Sequence, residues 1–356
     1  MKKEIPAVSV VVPMYNTEKY IGELMDSMLV QTLQNFELII VDNGSTDNGA
    51  SVVENYIAKF DGRLKFTKIP VNSGNPAFPR NMGLELSRGE YIFFMDSDDV
   101  LIKKTALEEI YTVAENFQAD VVYCENYGVS QGFGRKLFEN VRVRENPLVK
   151  ETGIISNDLA VRLSYYLQFC FEAPPWLKLS RRDFLIKNHI DFPSTHHEDN
   201  LWTLKLLCLS EKFVITPSVC YINRQREGSE TDSRNDFGKQ LRYFMDRTVS
   251  GMKILDDFMN GLDFFKIHPE FRYAMLNFYT TIDLNRTNHL CASLPPHIIQ
   301  ENLKSIFSKE MDSAGNIALI SYLITNSIML TRDLIVANQK LSAVTSNGNS
   351  FSLETK

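Results

Sequence analysis

The run Met95-Asp96-Ser97-Asp98-Asp99 places three carboxylates almost side by side, directly after Gly89-Glu90-Tyr91-Ile92-Phe93-Phe94, a short apolar stretch that reads as a buried strand. Acids crowded onto a strand end repel one another and gain nothing from burial. An oxygen-preferring divalent cation, Mg²⁺ or Mn²⁺, relieves that repulsion, above all where a substrate's phosphates complete its shell. In an arbitrary loop an Asp-x-Asp pair is a solvated turn; here the strand before it gives it meaning. A second acidic pair, Glu198-Asp199, follows His196-His197 and precedes the apolar positions Leu201, Leu204, Leu206 and Leu207, so both acids sit at a helix start. Capping and the helix dipole account for two acids there without further chemistry. The histidines lack His-Glu-x-x-His spacing and have no cysteine at ligand distance, so zinc is not expected. A loop histidine at a cleft rim, or one touching a metal or diphosphate, remains open.

The elements that must position these acids begin at the N-terminus. Val8 to Val12 is a strand stopped by Pro13, and Thr17 is placed to cap a helix whose apolar face is Ile21, Leu24, Met25, Met28 and Leu29. Phe36 to Val41 is a second strand, ending in the polar turn Asp42-Asn43-Gly44-Ser45-Thr46-Asp47. Leu64 to Ile69 is a third, followed by Asn72-Ser73-Gly74-Asn75 and a helix around Arg80-Asn81-Met82-Gly83. The fourth strand delivers the acidic run. Continuous apolar strands alternating with helices mean an α/β sandwich on a mainly parallel sheet. Ligands of such sheets sit outside the carboxyl ends of the strands, where Asp42 and Asp96 both fall.

Taken together, Val10-Val11-Val12-Pro13-Met14-Tyr15-Asn16, Ile39 to Asp47, Arg80-Asn81-x-Gly83, Gly89-Glu90-Tyr91-Ile92 and Asp96-Ser97-Asp98-Asp99 resemble the family-2 glycosyltransferases of the GT-A, Rossmann-like fold. The likeness covers roughly the first 230 residues. It implies inverting transfer from a nucleotide-diphosphate sugar, UDP-linked, with Mn²⁺ or Mg²⁺ on the diphosphate. On that resemblance Pro13, Tyr15 and Asn16 pack on the nucleoside and Asp42 accepts from the base, as an acceptor-only carboxylate suits uracil N3–H; the alternative is a turn carboxylate capping local backbone. Asp96 is expected near the donor ribose or the outer shell of the metal, and Asp98 on the metal itself. Asp99 either joins them or caps the next helix. Arg80 steadies donor phosphate or forms a salt bridge to the acids. The Glu198-Asp199 pair becomes acceptor contact and catalytic base respectively. Trp176 and Lys178, in Glu172-Ala173-Pro174-Pro175-Trp176-Leu177-Lys178, fall on the acceptor side, although a tryptophan is equally at home in a core. In Asn223-Arg224-Gln225-Arg226-Glu227-Gly228-Ser229, Arg226 is the expected partner of the leaving diphosphate, with Arg224 in reserve.

The bulk properties are those of a globular protein large enough for a sizeable core: 356 residues, 44% hydrophobic and 23% charged. A net charge of −6 argues against nucleic acid as the main partner. Five dispersed cysteines, an odd number, favour reduced thiols over a disulfide frame, and the apolar run after Met1-Lys2-Lys3 is the first core strand rather than an export signal. A cytoplasmic setting, at or near the inner membrane face, is therefore expected. Residues 1–235 are read as the catalytic domain, 236–341 as a helical extension and 342–356 as a disordered tail. Residues 317–330 are nearly all apolar yet too short to span a bilayer, which leaves a buried helix or one that docks on a membrane or a second subunit. The acceptor expected of such an enzyme is a saccharide or lipid-linked saccharide of a surface polysaccharide. The alternatives are a catalytically silent nucleotide-sugar or glycan-binding module and a nucleotidyltransferase, and the latter would want a Gly-rich basic loop where Pro13-Met14-Tyr15-Asn16 stands.

Overall fold

A computed structural model describes residues 5–146, 149–168, 170–195, 197–225, 237–291, 295–301, 304, 320, 324, 327 and 328. His196, Arg226, most of 317–330 and the tail from 342 lie outside them. In chain order the elements are β1 (Val8–Met14), α1 (Ile21–Leu29), β2 (Phe36–Asp42), α2 (Gly49–Glu54), β3 (Leu64–Lys68), α3 (Ala77–Leu86), β4 (Tyr91–Phe94), β5 (Val100–Leu101), α4 (Ala106–Phe117), β6 (Val121–Ser130), α5 (Arg135–Glu139), β7 (Arg142–Arg144), β8 (Gly153–Ile154), α6 (Leu159–Leu167), β9 (Lys178–Arg181), α7 (Arg182–Lys187), α8 (Glu198–Leu209), β10 (Phe213–Arg224), α9 (Phe237–Asn260), α10 (Asp263–Ile267) and α11 (Pro269–Cys291).

The strands form one sheet in the order β3-β2-β1-β4-β9-β6-β10-β5, with β7 on β6 and β8 on β10. The block β3-β2-β1-β4 is parallel throughout, as expected. Beyond it the sheet is mixed, because β9 enters antiparallel to both β4 and β6. Two reversals restore direction, so β6 and its parallel partner β10 run the same way as β1 and β4. The carboxyl ends of β1, β2, β4, β6 and β10 consequently lie along one edge. Every residue of β1 and of β2 is buried, which is why both are apolar almost without alternation.

Local chemistry sets the spacing between layers. In α1, Ile21, Leu24, Met25 and Met28 are buried as the 3.6-residue period requires. Thr17 does not cap this helix through its side chain. Its carbonyl accepts from Tyr20 N and Ile21 N at 2.9 Å each, while its hydroxyl is buried without a partner among the described residues. Gly83 lets α3 lie flat on β1, since a Cβ there would meet Val11 Cγ1 at 2.2 Å.

The chain divides into two compact units, residues 1–231 with 260–271, and residues 232–259 with 272–356. The segment 260–271, which holds α10, thus falls with the first unit rather than with the expected 236–341 extension. Within the second unit Arg272 grips Asp256 through two hydrogen bonds of 2.7 and 2.8 Å, and Leu255, Met259, Met275 and Tyr279 are buried. Among the described residues no helix is long and apolar enough to cross a membrane.

Candidate active site

Register places the first two loops side by side. Met14 pairs with Asp42 at the ends of β1 and β2, and Asn43 N donates to Met14 O at 2.7 Å. Asn16, at φ 49°, accepts on Oδ1 from Thr46 N at 2.8 Å and donates its own N–H to Ser45 Oγ at 3.0 Å. Asp42 is buried, and its Oδ1 accepts from Ser45 N at 2.9 Å, the turn-capping bond anticipated as one of its two readings. Gly44 has φ +73°, and a Cβ on it would stand 2.6 Å from Asn72 N, so this turn packs directly on the 72–75 loop. Pro13 is buried at the end of β1 and Tyr15 is exposed beside it.

The centre of the site is Arg80. Its Nη2 donates to Asp96 Oδ1 at 3.1 Å, and its Nη1 to Asp199 Oδ1 at 2.8 Å and Glu198 Oε1 at 3.2 Å. The side chain is only 4% exposed. Burial disfavours its charge, but Asp199, Asp96 and Glu198 outweigh that and drive the guanidinium further up. The salt-bridge reading of Arg80 is the observed one, and its partners include both acidic motifs, which the sequence separates by about a hundred residues. Neighbouring residues explain the rest of Arg80-Asn81-x-Gly83. Asn81 exchanges two hydrogen bonds with the Phe192 backbone, Nδ2 to O at 2.8 Å and N to Oδ1 at 2.9 Å. Phe192 stacks on Trp202 at 4.9 Å, and Phe94 meets both rings edge-on at 5.0 and 5.7 Å. This apolar wedge sets the start of α8 above the end of β4. Glu198 and Asp199 are the first two residues of α8, entered through His197 at φ 53°, and both accept from Arg80.

The acidic run after β4 is held from the far side by β10. Asp99 does not cap a helix, since α4 begins only at Ala106. It is 1% exposed and accepts from Tyr221 OH at 2.8 Å, Asn223 Nδ2 at 3.2 Å and Arg224 N at 2.7 Å. Tyr221 OH also accepts from Asp96 N at 3.0 Å, so a single hydroxyl fixes both ends of the turn. Tyr221 and Asn223 carried no signal in the sequence: they are ordinary strand residues until the register of β10 is known. Burial, then Asp98 and Asp96, push Asp99 well above the usual carboxylate range. Burial likewise raises Asp96 to about 6, with Asp98 and Asp199 adding to the rise and Arg80 opposing it.

Three expected contacts lie elsewhere. Trp176 is 5% exposed, stacked on Tyr221 at 4.5 Å and edge-on to Tyr127 at 4.9 Å, a core tryptophan rather than a platform for a sugar. Lys178 is fully buried, and its ammonium donates to the carbonyls of Glu172, Ala173 and Pro174 at 2.7, 3.1 and 2.9 Å, which uses every N–H it has. Burial pushes it down to about 7, while Asp199, Glu172 and Glu125 favour its charge. Arg224, the reserve for the diphosphate, lies within reach of the stacked Tyr20 and Phe133 rings and is bonded to Glu23 and Gly132 O, which ties it to the scaffold.

Comparison with known proteins agrees with this architecture. Residues 9–160 match the family described as Glycosyl transferase family 2. An uncharacterized glycosyltransferase of Haemophilus influenzae is 40% identical over 240 residues, covering 61% of this chain and 94% of the relative. The poly(ribitol-phosphate) beta-N-acetylglucosaminyltransferase TarP of Staphylococcus aureus is 35% identical over 212 residues, or 58% of this chain, and the match spans 59% of TarP's length. Among solved structures, residues 1–349 of S. aureus TarS in complex with UDP-GlcNAc align with a TM-score of 0.59 at 22% identity, over 91% of this chain and 92% of that one, a likeness of fold. With a relative of this identity matched almost end to end, and with the family's own segment running from β1 through β8, the chain belongs to glycosyl transferase family 2.

Proposed function

We propose that the protein transfers a sugar, with inversion, from a UDP-linked donor to a hydroxyl of a saccharide or lipid-linked saccharide acceptor in surface-polymer synthesis at the cytoplasmic side of the membrane. The observation that carries this is the gathering of Asp96, Glu198 and Asp199 on one buried guanidinium at the carboxyl edge of the sheet. Asp42, with Pro13, Tyr15 and Asn16, serves the nucleoside. As the acceptor oxygen bonds to the anomeric carbon, its proton passes to Asp199, and the bond from that carbon to the diphosphate breaks with its electron pair leaving on the phosphate oxygen. Arg80 takes one oxygen of Asp199, which fixes the carboxylate and leaves the other oxygen for the proton. Glu198 orients the acceptor or its neighbour.

The residues present fit a hard divalent cation. Asp98 and Asp96 offer oxygen donors only, the donor type that a hard cation prefers. Two carboxylates leave most of such a cation's shell open, and the phosphates of a nucleotide-diphosphate donor would complete it. When bound, Mn²⁺ or Mg²⁺ supplies positive charge to the departing diphosphate.

A screen of nucleotide sugars with and without Mn²⁺, run on wild type, Asp98→Asn and Asp199→Asn, tests the reading. Asp98→Asn is expected near background, and Asp199→Asn lower by roughly 10²–10⁴ in transfer with UDP affinity retained. Wild-type turnover by both variants in chelator would remove the metal and the base together, and a dead Glu198→Gln beside an active Asp199→Asn would move the base by one residue.

A further inference from the structure

An open groove of about 770 Å³ runs along the outer strand β7 and is lined by Arg142, Arg144, Gln131, Asn140, Glu145 and Gln225 among others. It lies on the same sheet edge as the site: Ser130 ends β6, and Gln225 follows Arg224, whose N–H holds Asp99 next to Asp98. On its wall, Arg144 Nε pairs with Glu172 at 3.2 Å, the residue whose carbonyl Lys178 holds at 2.7 Å. Arg144 is also bonded through Nη1 to Tyr127 OH at 3.1 Å, so its guanidinium is steered although the side chain is 66% exposed. Arg142 is exposed and makes no ion pair among the described residues. Residues 131–145 carry four basic and two acidic side chains, in a chain whose net charge is −6. The segment is fastened down by Leu137, buried against Val100 and Ile222, and by Ser130 Oγ donating to Leu137 O at 2.7 Å.

Forked guanidinium groups beside amide side chains recognise phosphate together with hydroxyl-rich neighbours. We infer that this groove binds an anionic, phosphate-bearing stretch of the acceptor chain, leading its reactive hydroxyl toward Asp199. This deepens the transfer proposed above, on which the word acceptor rests. Two exposed arginines on the groove wall favour an anion over a neutral glycan, and the proposed nucleoside loops lie at β1 and β2.

The test is equilibrium binding of a ribitol-phosphate oligomer, against a neutral dextran of equal length, to the full-length protein. The oligomer is expected to bind, to weaken as salt is raised, and to lose roughly tenfold or more in affinity in the double variant Arg142→Gln, Arg144→Gln at an unchanged melting temperature. Arg142→Gln alone, whose side chain supports no ion pair among the described residues, decides the matter if the double variant melts early: a loss of roughly threefold or more is then expected. Equal binding of dextran, or unchanged affinity in the variants, overturns the inference. Donor cleavage on the same wild-type preparation reads the transfer separately: binding that depends on Arg142 without any cleavage keeps the anion groove and discards the proposed transfer.

Discussion

Two charged clusters occupy opposite ends of the same strands, and they are balanced in opposite ways. At the amino end of β2, Glu37 is almost wholly buried and accepts from Ser9 Oγ at 2.7 Å, Arg88 N at 2.6 Å, Arg88 Nη2 at 2.9 Å and Lys65 Nζ at 3.0 Å. Burial alone would raise it, yet Ser9, Lys65 and Arg88 together hold it below its ordinary value. At the carboxyl end, one guanidinium serves Asp96, Glu198 and Asp199, with Asp98 and Asp99 close behind, and burial displaces Asp96 and Asp99 upward. The first cluster is complete within the chain. The second sets three carboxylates on one guanidinium, an arrangement that fits a site whose charge is completed by a ligand, held at a cost in stability.

The sharpest way to break this comparison is Arg80→Ala. It leaves three carboxylates facing one another and is expected to cost about 3–5 kcal/mol, since removing one partner of a buried pair strands the others. Urea unfolding measures it, and a loss below about 1 kcal/mol would mean that solvent rather than Arg80 balances the acids. Glu37→Gln follows, at about 1–3 kcal/mol for buried hydrogen bonds lost or left unmatched. Its pH dependence carries the sign: the folded value of Glu37 lies below 4.5, so its stabilisation is full above that pH and is lost as pH falls through the lower folded value. The gap in melting temperature between wild type and variant is therefore expected at neutral pH and should close in acid; a gap that widens in acid contradicts the assignment.

Asp96→Asn is the smallest effect and has the opposite sign. The folded value of about 6 exceeds 3.8, so the stabilisation that Asp96 provides is present below about pH 3.8 and lost as pH rises through 6. The neutral variant should thus be slightly more stable than wild type at pH 7, by about 1 kcal/mol or less because the side chain is a third exposed and screened. Scanning calorimetry that found the variant less stable at pH 7 would place Asp96 in the same class as Glu37.

Much of the parallel block was legible because its physics is local. β1 and β2 are apolar at nearly every position, the turn after Asp42 is polar and glycine-bearing, and the acids after Phe94 stand out against the strand before them. Arg80 was legible as a cation of the site but not as the link between its two acidic motifs, because that depends on Asn81 clamping Phe192 and on the Phe94–Phe192–Trp202 wedge. Asp99 could not be decided between its two readings for a related reason: its partners Tyr221, Asn223 and Arg224 arrive on β10, more than a hundred residues later. Trp176 and Lys178 illustrate the reverse limit. Their residue types suit a sugar site, yet one ring is packed on Tyr221 and one ammonium closes the 172–174 backbone, and composition does not distinguish these uses.

The place of β9 in the sheet also dictates a timetable for synthesis. Tyr91-Ile92-Phe93-Phe94 pairs with β1 on one side, but its other side must wait for Lys178–Arg181, four residues that alone join the parallel block to β6. A ribosome adding residues at about 5–20 per second needs on the order of ten seconds to cover that distance. Throughout that interval the nascent chain carries an unpaired and wholly apolar strand edge, the kind of surface that pairs with a neighbouring chain when nothing shields it. Expression yield should accordingly depend on chaperone supply and growth temperature far more than the stability of the finished protein would suggest.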